Sequence, residues 1–311
     1  MRTATLLAAS LLVATAFADA NPGDFLYGPF DPSSSTLGGA AELLRGGAAS
    51  ALRNPGIVGG MESRELFVAH TFLSLDRRVD AAAVAVPIGE RGVLAVAGLQ
   101  AAVNNIDGRD TNGRHTTYLA DTRNAVSFVF GFRPSTRVSV GIGLKALFRE
   151  TAEEKASGSA FDIGTRVNVR EGIAVALAAR NLGIMHPQGE PMGAYWPWNT
   201  SYWSDELQVQ KDDRIPPSVA LSAAVTSLPW GIRAGIEIEK VEGENAEVSG
   251  GIEYPFDDRL SLRAGGTVDS PSMGATILVP VSTAAVTVGY AWSTGELTGD
   301  AIHRVSLATR F

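Results

Sequence analysis

From about Glu65 to the C-terminus, apolar and polar residues alternate with a period of two, as in strands whose two faces meet different surroundings. In residues 138–148, Val138, Val140, Ile142, Leu144, Ala146 and Phe148 share one parity, while Ser139, Gly141, Gly143 and Lys145 share the other. The last residues repeat the pattern, with Val305, Leu307, Thr309 and Phe311 opposite Arg304, Ser306, Ala308 and Arg310. Strands are predicted over 66–75, 79–88, 92–103, 124–133, 138–148, 159–169, 173–182, 218–227, 232–240, 246–254, 260–268, 273–281, 285–292 and 302–311. That makes about fourteen, most close to the ~9–11 residues of a tilted membrane strand.

The links between these strands separate into two sets. Residues 89–91, 134–136, 170–172, 229–231, 256–259 and 282–284 are tight turns; 104–123, 149–158, 183–217, 241–245, 269–272 and 293–301 are mostly longer and polar, with 76–78 the exception. Short turns on one rim and long loops on the other are expected of an antiparallel outer-membrane barrel with its short rim periplasmic. A soluble sandwich has no reason to sort its loops this way. An even strand count also returns the C-terminus to the rim where the chain entered, so residues 302–311 should close against residues 66–75. The lumen-facing parity should be polar or small, and it carries Arg233, Gly235, Glu237 and Glu239, then Glu253, Arg263 and Gly265, and finally Arg304 and Arg310.

Before the alternation starts the grammar is different. Residues 1–20 run from Arg2 through an apolar core to Ala16, Ala18 and Ala20, the form of a cleaved secretory signal peptide. In residues 21–60, Leu37, Ala40, Ala41, Leu44, Ala48, Ala51 and Leu52 fall near helical spacing, broken by Gly46–Gly47 and stopped by Asn54-Pro55-Gly56. This segment is expected to be a short helical plug or gate, with Leu37, Leu44, Leu52, Asn54 and Pro55 as its key residues. Residues 61–311 would form the barrel.

Composition narrows the classes. Over 311 residues only 19% are charged and the mean hydropathy is +0.08, yet no segment after residue 20 reaches the ~20 apolar residues of a helical span. Cysteine is absent, which excludes disulfides, thiolate metal sites and cysteine nucleophiles. A net charge of -7 and a pI near 5.2 argue against nucleic acid as a partner.

Four patches resemble the PorV/PorQ family, within the fatty-acid-transporter-like (FadL-type) barrels. They are Ala48-Ala49-Ser50-Ala51-Leu52-Arg53-Asn54-Pro55-Gly56, the loop from Asn105 to Gly113, Phe161-Asp162-Ile163-Gly164, and Asn181-Leu182-Gly183. Arg53 stands where that family usually has Trp, and the Ala after Pro is absent. The resemblance implies a fourteen-stranded barrel with an N-terminal plug. Family roles are uptake of hydrophobic compounds and, in some members, carriage of cargo in type IX secretion. Bacterial outer-membrane barrels, which the chain resembles, commonly end on a Phe read by the barrel-assembly machinery, a role this resemblance gives to Phe311.

Candidate chemistry is sparse. Tyr195, Trp196, Trp198, Tyr202 and Trp203 crowd the longest loop and could contact an apolar ligand or partner, or pack the loop on itself or sit at lipid headgroups. Asp107 to Gly113 has the oxygens of a calcium loop without its spacing or closing Glu, so turn chemistry is the simpler reading. Arg233, Glu237, Glu239, Glu253, Arg263 and Arg304 could line a solute path, act as acid and base, or fill the interior as ion pairs. The four His residues lack metal-ligand spacing. The expectation is a non-enzymatic barrel without metal or cofactor, embedded in outer-membrane lipid, that passes a small hydrophobic solute. Binding of secreted protein cargo is the alternative, and a secreted soluble β-protein a further one.

Overall fold

The computed structural model describes residues 22–151, 154–183, 194–199, 212–281, 284–295 and 300–311, so the expected signal peptide lies outside the described residues. Seven strands come first: β1 (Glu65–Phe72), β2 (Arg77–Ile88), β3 (Gly92–Arg109), β4 (His115–Phe132), β5 (Val138–Thr151), β6 (Glu154–Arg170) and β7 (Ile173–Leu182). β8 (Ala194–Asn199) and β9 (Asp212–Ile215) form a small hairpin within the longest loop. Seven more strands follow: β10 (Ser218–Val225), β11 (Arg233–Val241), β12 (Ala246–Pro255), β13 (Leu260–Thr267), β14 (Pro271–Val281), β15 (Ala284–Thr294) and β16 (Ala301–Arg310).

Leaving out the β8–β9 hairpin, fourteen strands pair antiparallel in a closed ring. β7 joins β10 across the long loop, and β1 joins β16 in register from Glu65 opposite Arg310 to Phe72 opposite His303. Closure leaves no barrel edge with unpaired backbone. The alternation takes the expected sense: on β16, Val305 and Leu307 are exposed while Arg304 is buried. Leu94, Phe128, Leu144, Ile236 and Ile252 continue the exposed apolar exterior around the ring. Such an exterior is that of a transmembrane barrel and does not suit a soluble β-protein.

Two differences from the sequence-based expectation concern length. Much of 104–123 and 149–158, expected as loop, is strand, because β3, β4, β5 and β6 run past the apolar band. Solvent bathes both faces of much of that extension, where most described residues are exposed, so no apolar–polar contrast marks it. β3 also bends there, at a bulge between Val103 and Ile106 where Asn105 has φ 55°. The β8–β9 hairpin was likewise unexpected; it adds to β6 through Lys155 opposite Asn199.

The outward parity of β16 makes a direct prediction. Leu307→Arg places a charge on the apolar exterior, at a cost of about 2–4 kcal/mol near a bilayer midplane, whereas Ala308→Ser on the inward parity should be close to neutral. Urea titration of folding into phospholipid vesicles measures both.

Candidate functional site

The interior is filled by the chain's own N-terminal segment. Asp31 starts helix α1 (Pro32–Leu37) by accepting N–H bonds from Ser33 and Ser34, and Ser34 completes the capping box. Helix α2 (Ala40–Arg45) ends at Gly46, a short 3₁₀ turn spans Ala48–Leu52, and Asn54 caps helix α3 (Pro55–Val58). Helices this short are not stable alone; their packing on the barrel holds them. α1 lies against β11 to β16, α2 against β7, β10 and β11, and α3 against β3 to β7.

One wall of the lumen is charged. Glu237 receives Arg53 at 2.9 Å, the Gly39 N–H at 2.8 Å and the Ser222 hydroxyl at 2.7 Å. Arg53 lies 3.6 Å from Glu239 as well, and Glu239 also pairs with the buried Arg180. Glu253 holds Arg45 at 2.8 Å and Arg233 at 3.0 Å. Arg263 donates to Ser33 Oγ, and Arg304 to Ser293 Oγ and the Pro29 carbonyl. Thus all six lumen charges singled out from the sequence lie on the inner wall; five of them reach the N-terminal segment directly, and Arg233 does so through the Glu253 carboxylate it shares with Arg45. Only Arg233 is substantially solvent-exposed, at 39%.

The opposite wall is apolar. On β1 to β4 the buried inward residues are mostly apolar, Phe67, Ala69, Ala81, Ala83, Ala85, Val93, Ala95, Ala97, Leu99, Ala125 and Val129, with Ser127 between the last two and Glu65, Thr71 and Asp121 towards the strand ends. Leu26, Phe30, Ala51, Leu52 and Val58 of the N-terminal segment pack onto them, and Ala194 and Ile215 of the β8–β9 hairpin join the same cluster. Between the two walls, glycines let backbone meet backbone. A Cβ on Gly141 would stand 2.2 Å from the Pro55 carbonyl oxygen, and one on Gly164 2.0 Å from Asn54 Oδ1. Gly164 closes the Phe161-Asp162-Ile163-Gly164 patch, so that patch marks where α3 presses on the wall. Asn54 Nδ2 reaches the Leu177 and Thr165 carbonyls at 3.4 and 3.5 Å.

The remaining residues of interest fall as follows. Leu37 is fully buried, Leu52 nearly so, and Leu44 borders a polar cavity of about 510 Å³ that opens near the short-turn rim beside Glu65, Asp257 and Arg310. Tyr195, Trp196 and Trp198 lie on β8, which the backbone defines, while Tyr202 and Trp203 lie outside the described residues. Phe311 is 60% exposed and its N–H donates to the Arg64 carbonyl. In the β3–β4 turn, Asp107 binds His115 and Arg109, and Asp110 caps the N–H groups of Asn112 and Arg114, as turn chemistry requires. Sequence reasoning missed Arg45 and Arg180, and also the buried Lys145–Asp162 pair at 2.9 Å. Strand parity could have supplied Arg180 and the pair. It also missed the alanine wall, whose inward residues are apolar like the outward ones.

No protein-family model matches the chain, and no curated protein matches it. Solved structures do. The *Pseudomonas putida* toluene transporter TodX is similar with a TM-score of 0.61 and 8% identity, over 91% of this chain and 97% of that one. The CymD monoaromatic hydrocarbon channel gives 0.62 and 12%, over 90% and 97%, and a *Pseudomonas aeruginosa* FadL homologue 0.61 and 10%, over 92% and 99%. The chain has the fold of these barrels. At such low identity, the shared element is the architecture of a fourteen-stranded wall around an N-terminal helical segment.

Arg53 makes the ionic attachment of the segment testable. Arg53→Ala leaves Glu237 buried without its guanidinium partner, a loss of about 3–5 kcal/mol for a broken buried pair. Residues 22–60 should then become open to protease at a lower urea concentration than in the parent, with the barrel's heat-dependent gel shift retained. Unchanged protection would remove the attachment role.

Proposed function

We propose that the protein is an outer-membrane barrel that lets a small apolar solute pass by diffusion. The observation that carries this reading is the apolar wall from Val93 to Leu99 and across β1 to β4. A water-filled pore has a polar interior, whereas a wall of Ala, Val, Leu and Phe offers an apolar solute a surface once the N-terminal segment gives way. The names of two similar barrels, a toluene transporter and a monoaromatic hydrocarbon channel, agree with such a solute. Residues 1–20 would direct export, residues 21–60 would be the gate, and Tyr195, Trp196, Trp198, Tyr202 and Trp203 the first contact at the outer surface. Placement within the PorV/PorQ group rests on the four sequence patches. No reaction is assigned: the lumen carboxylates Glu237, Glu239 and Glu253 are occupied by guanidinium groups.

Four tests bear on this proposal. Ala97→Glu puts a carboxylate on the apolar wall; uptake of toluene into proteoliposomes should fall roughly tenfold, the effect of about 1.4 kcal/mol at one point of the path, while the amount of folded barrel is unchanged. Full-rate uptake would reject the wall as the route. Deleting residues 37–52 should raise leakage of small hydrophilic probes from liposomes, and a closed barrel after deletion would remove the gate. Deleting Phe311 should lower membrane assembly more than the activity of the assembled fraction. A deletion strain that loses extracellular proteins yet takes up toluene normally would favour the cargo role instead.

A further inference from the structure

At the short-turn end of β5 and β6, Arg137, Arg166 and Arg170 line one cavity of about 340 Å³. Arg166 shares the inward parity of the buried Asp162 and is half-buried, Arg137 shares that of the buried Ser139, and the Asn168 N–H bonds the Arg137 carbonyl at 2.7 Å. Arg170 follows a bulge between Asn168 and Arg170, and it and Arg137 are exposed at the rim. Elsewhere in the lumen Arg45, Arg53, Arg180 and Arg233 meet carboxylates. Here, among the described residues, none of the three has a carboxylate oxygen within 4.0 Å, and Arg166 donates to the neutral Asn168 Oδ1 at 3.2 Å. Glu171 is the single acid on the cavity lining. Its other side is apolar: Leu43 of α2, 3% exposed, packs with Ile57, Ala176 and Ala224, and Ala174 borders the same cluster. Three cations above an apolar floor fit a ligand with an oxyanion at one end and an apolar part at the other, because guanidinium groups bind carboxylate and phosphate with paired, directional hydrogen bonds.

We propose that this cavity is a binding site for an amphiphilic oxyanion, a carboxylate or phosphate ester whose apolar part lies on Leu43, Ala174 and Ala224. It is separate from the apolar wall of β1 to β4 and does not depend on the solute or gate assigned above. The oxyanion could belong to a soluble molecule or to a lipid headgroup at the rim, and the lipid around the protein separates these sources.

The full-length protein in phosphatidylcholine nanodiscs is titrated calorimetrically with benzoate, and with inorganic phosphate as a second probe. Benzoate should bind, and Arg137→Ala/Arg170→Ala, a double variant at the rim that spares the barrel pairing, should weaken binding by roughly tenfold or more, the loss expected from charge-assisted hydrogen bonds. Arg166→Lys, which keeps the charge but not the paired geometry, should fall between parent and double variant. Arg91→Ala, which removes a rim arginine away from the cavity, should bind like the parent. Parent affinity in the double variant, equal loss in Arg91→Ala, or no binding of either probe to the parent in phosphatidylcholine would overturn the site. With the site established in that way, competition from phosphatidylglycerol in the disc would assign the oxyanion to a lipid headgroup, and undiminished binding would assign it to a soluble anion.

Discussion

Fourteen strands enclose more space than this chain's inward side chains can fill. Eight strands already give an interior just wide enough for side chains alone, and here many inward residues are Ala or Gly. An unfilled lumen would forfeit the close packing on which protein interiors depend. The segment from Asp24 to Val58 supplies the missing volume, and its composition follows from that task. Small residues dominate it because its helices approach the wall at backbone distance, as at Pro55 beside Gly141 and Thr36 beside Gly251 and Gly265.

Filling a lumen with chain also buries charge, and the structure meets this by sharing carboxylates. Glu237 and Glu253 each answer more than one donor, so that Arg45 and Arg53 leave water only where a preformed acceptor waits. A buried pair adds little net stability over an apolar contact but is costly to break on one side. Its effect is therefore on register: the segment can dock in one place on the charged wall and slide freely in none. The apolar wall makes no such demand, since alanine faces accept apolar surface without orienting it.

The fold was largely readable because a barrel in lipid writes its topology into the chain. Lipid outside and a polar or small-residue interior impose a two-residue period on strands such as β5, and rim asymmetry sorts the links. Reading failed where that contrast disappears. The outer parts of β3 to β6 have water on both faces, and β1 to β4 have apolar surroundings on both, so alternation there marks neither the strand end nor the nature of the inner wall. The site was legible one side chain at a time and not as an arrangement. Parity placed Glu237 and Glu253 inside, but no local pattern announces that Arg53 and Arg45, about two hundred positions earlier, will meet them. Arg53 was visible only as a departure from the Trp of the family it resembles, and its partners give that departure a physical reason.

Where the two ends of the barrel meet, Glu65 opens the first strand and Arg310 closes the last. Glu65 accepts the Ala48 N–H at 2.8 Å and the Arg310 guanidinium, while Arg310 also donates to the Arg45 carbonyl. Both therefore grip the joint at Gly46 and Gly47, whose φ of 60° and 117° leave little room for any other residue. The Arg310 half of that grip comes from the last strand and the Glu65 half from the first, so the joint holds its full set of bonds only in the closed ring. A barrel with its seam open would therefore also be a barrel with its contents less secured.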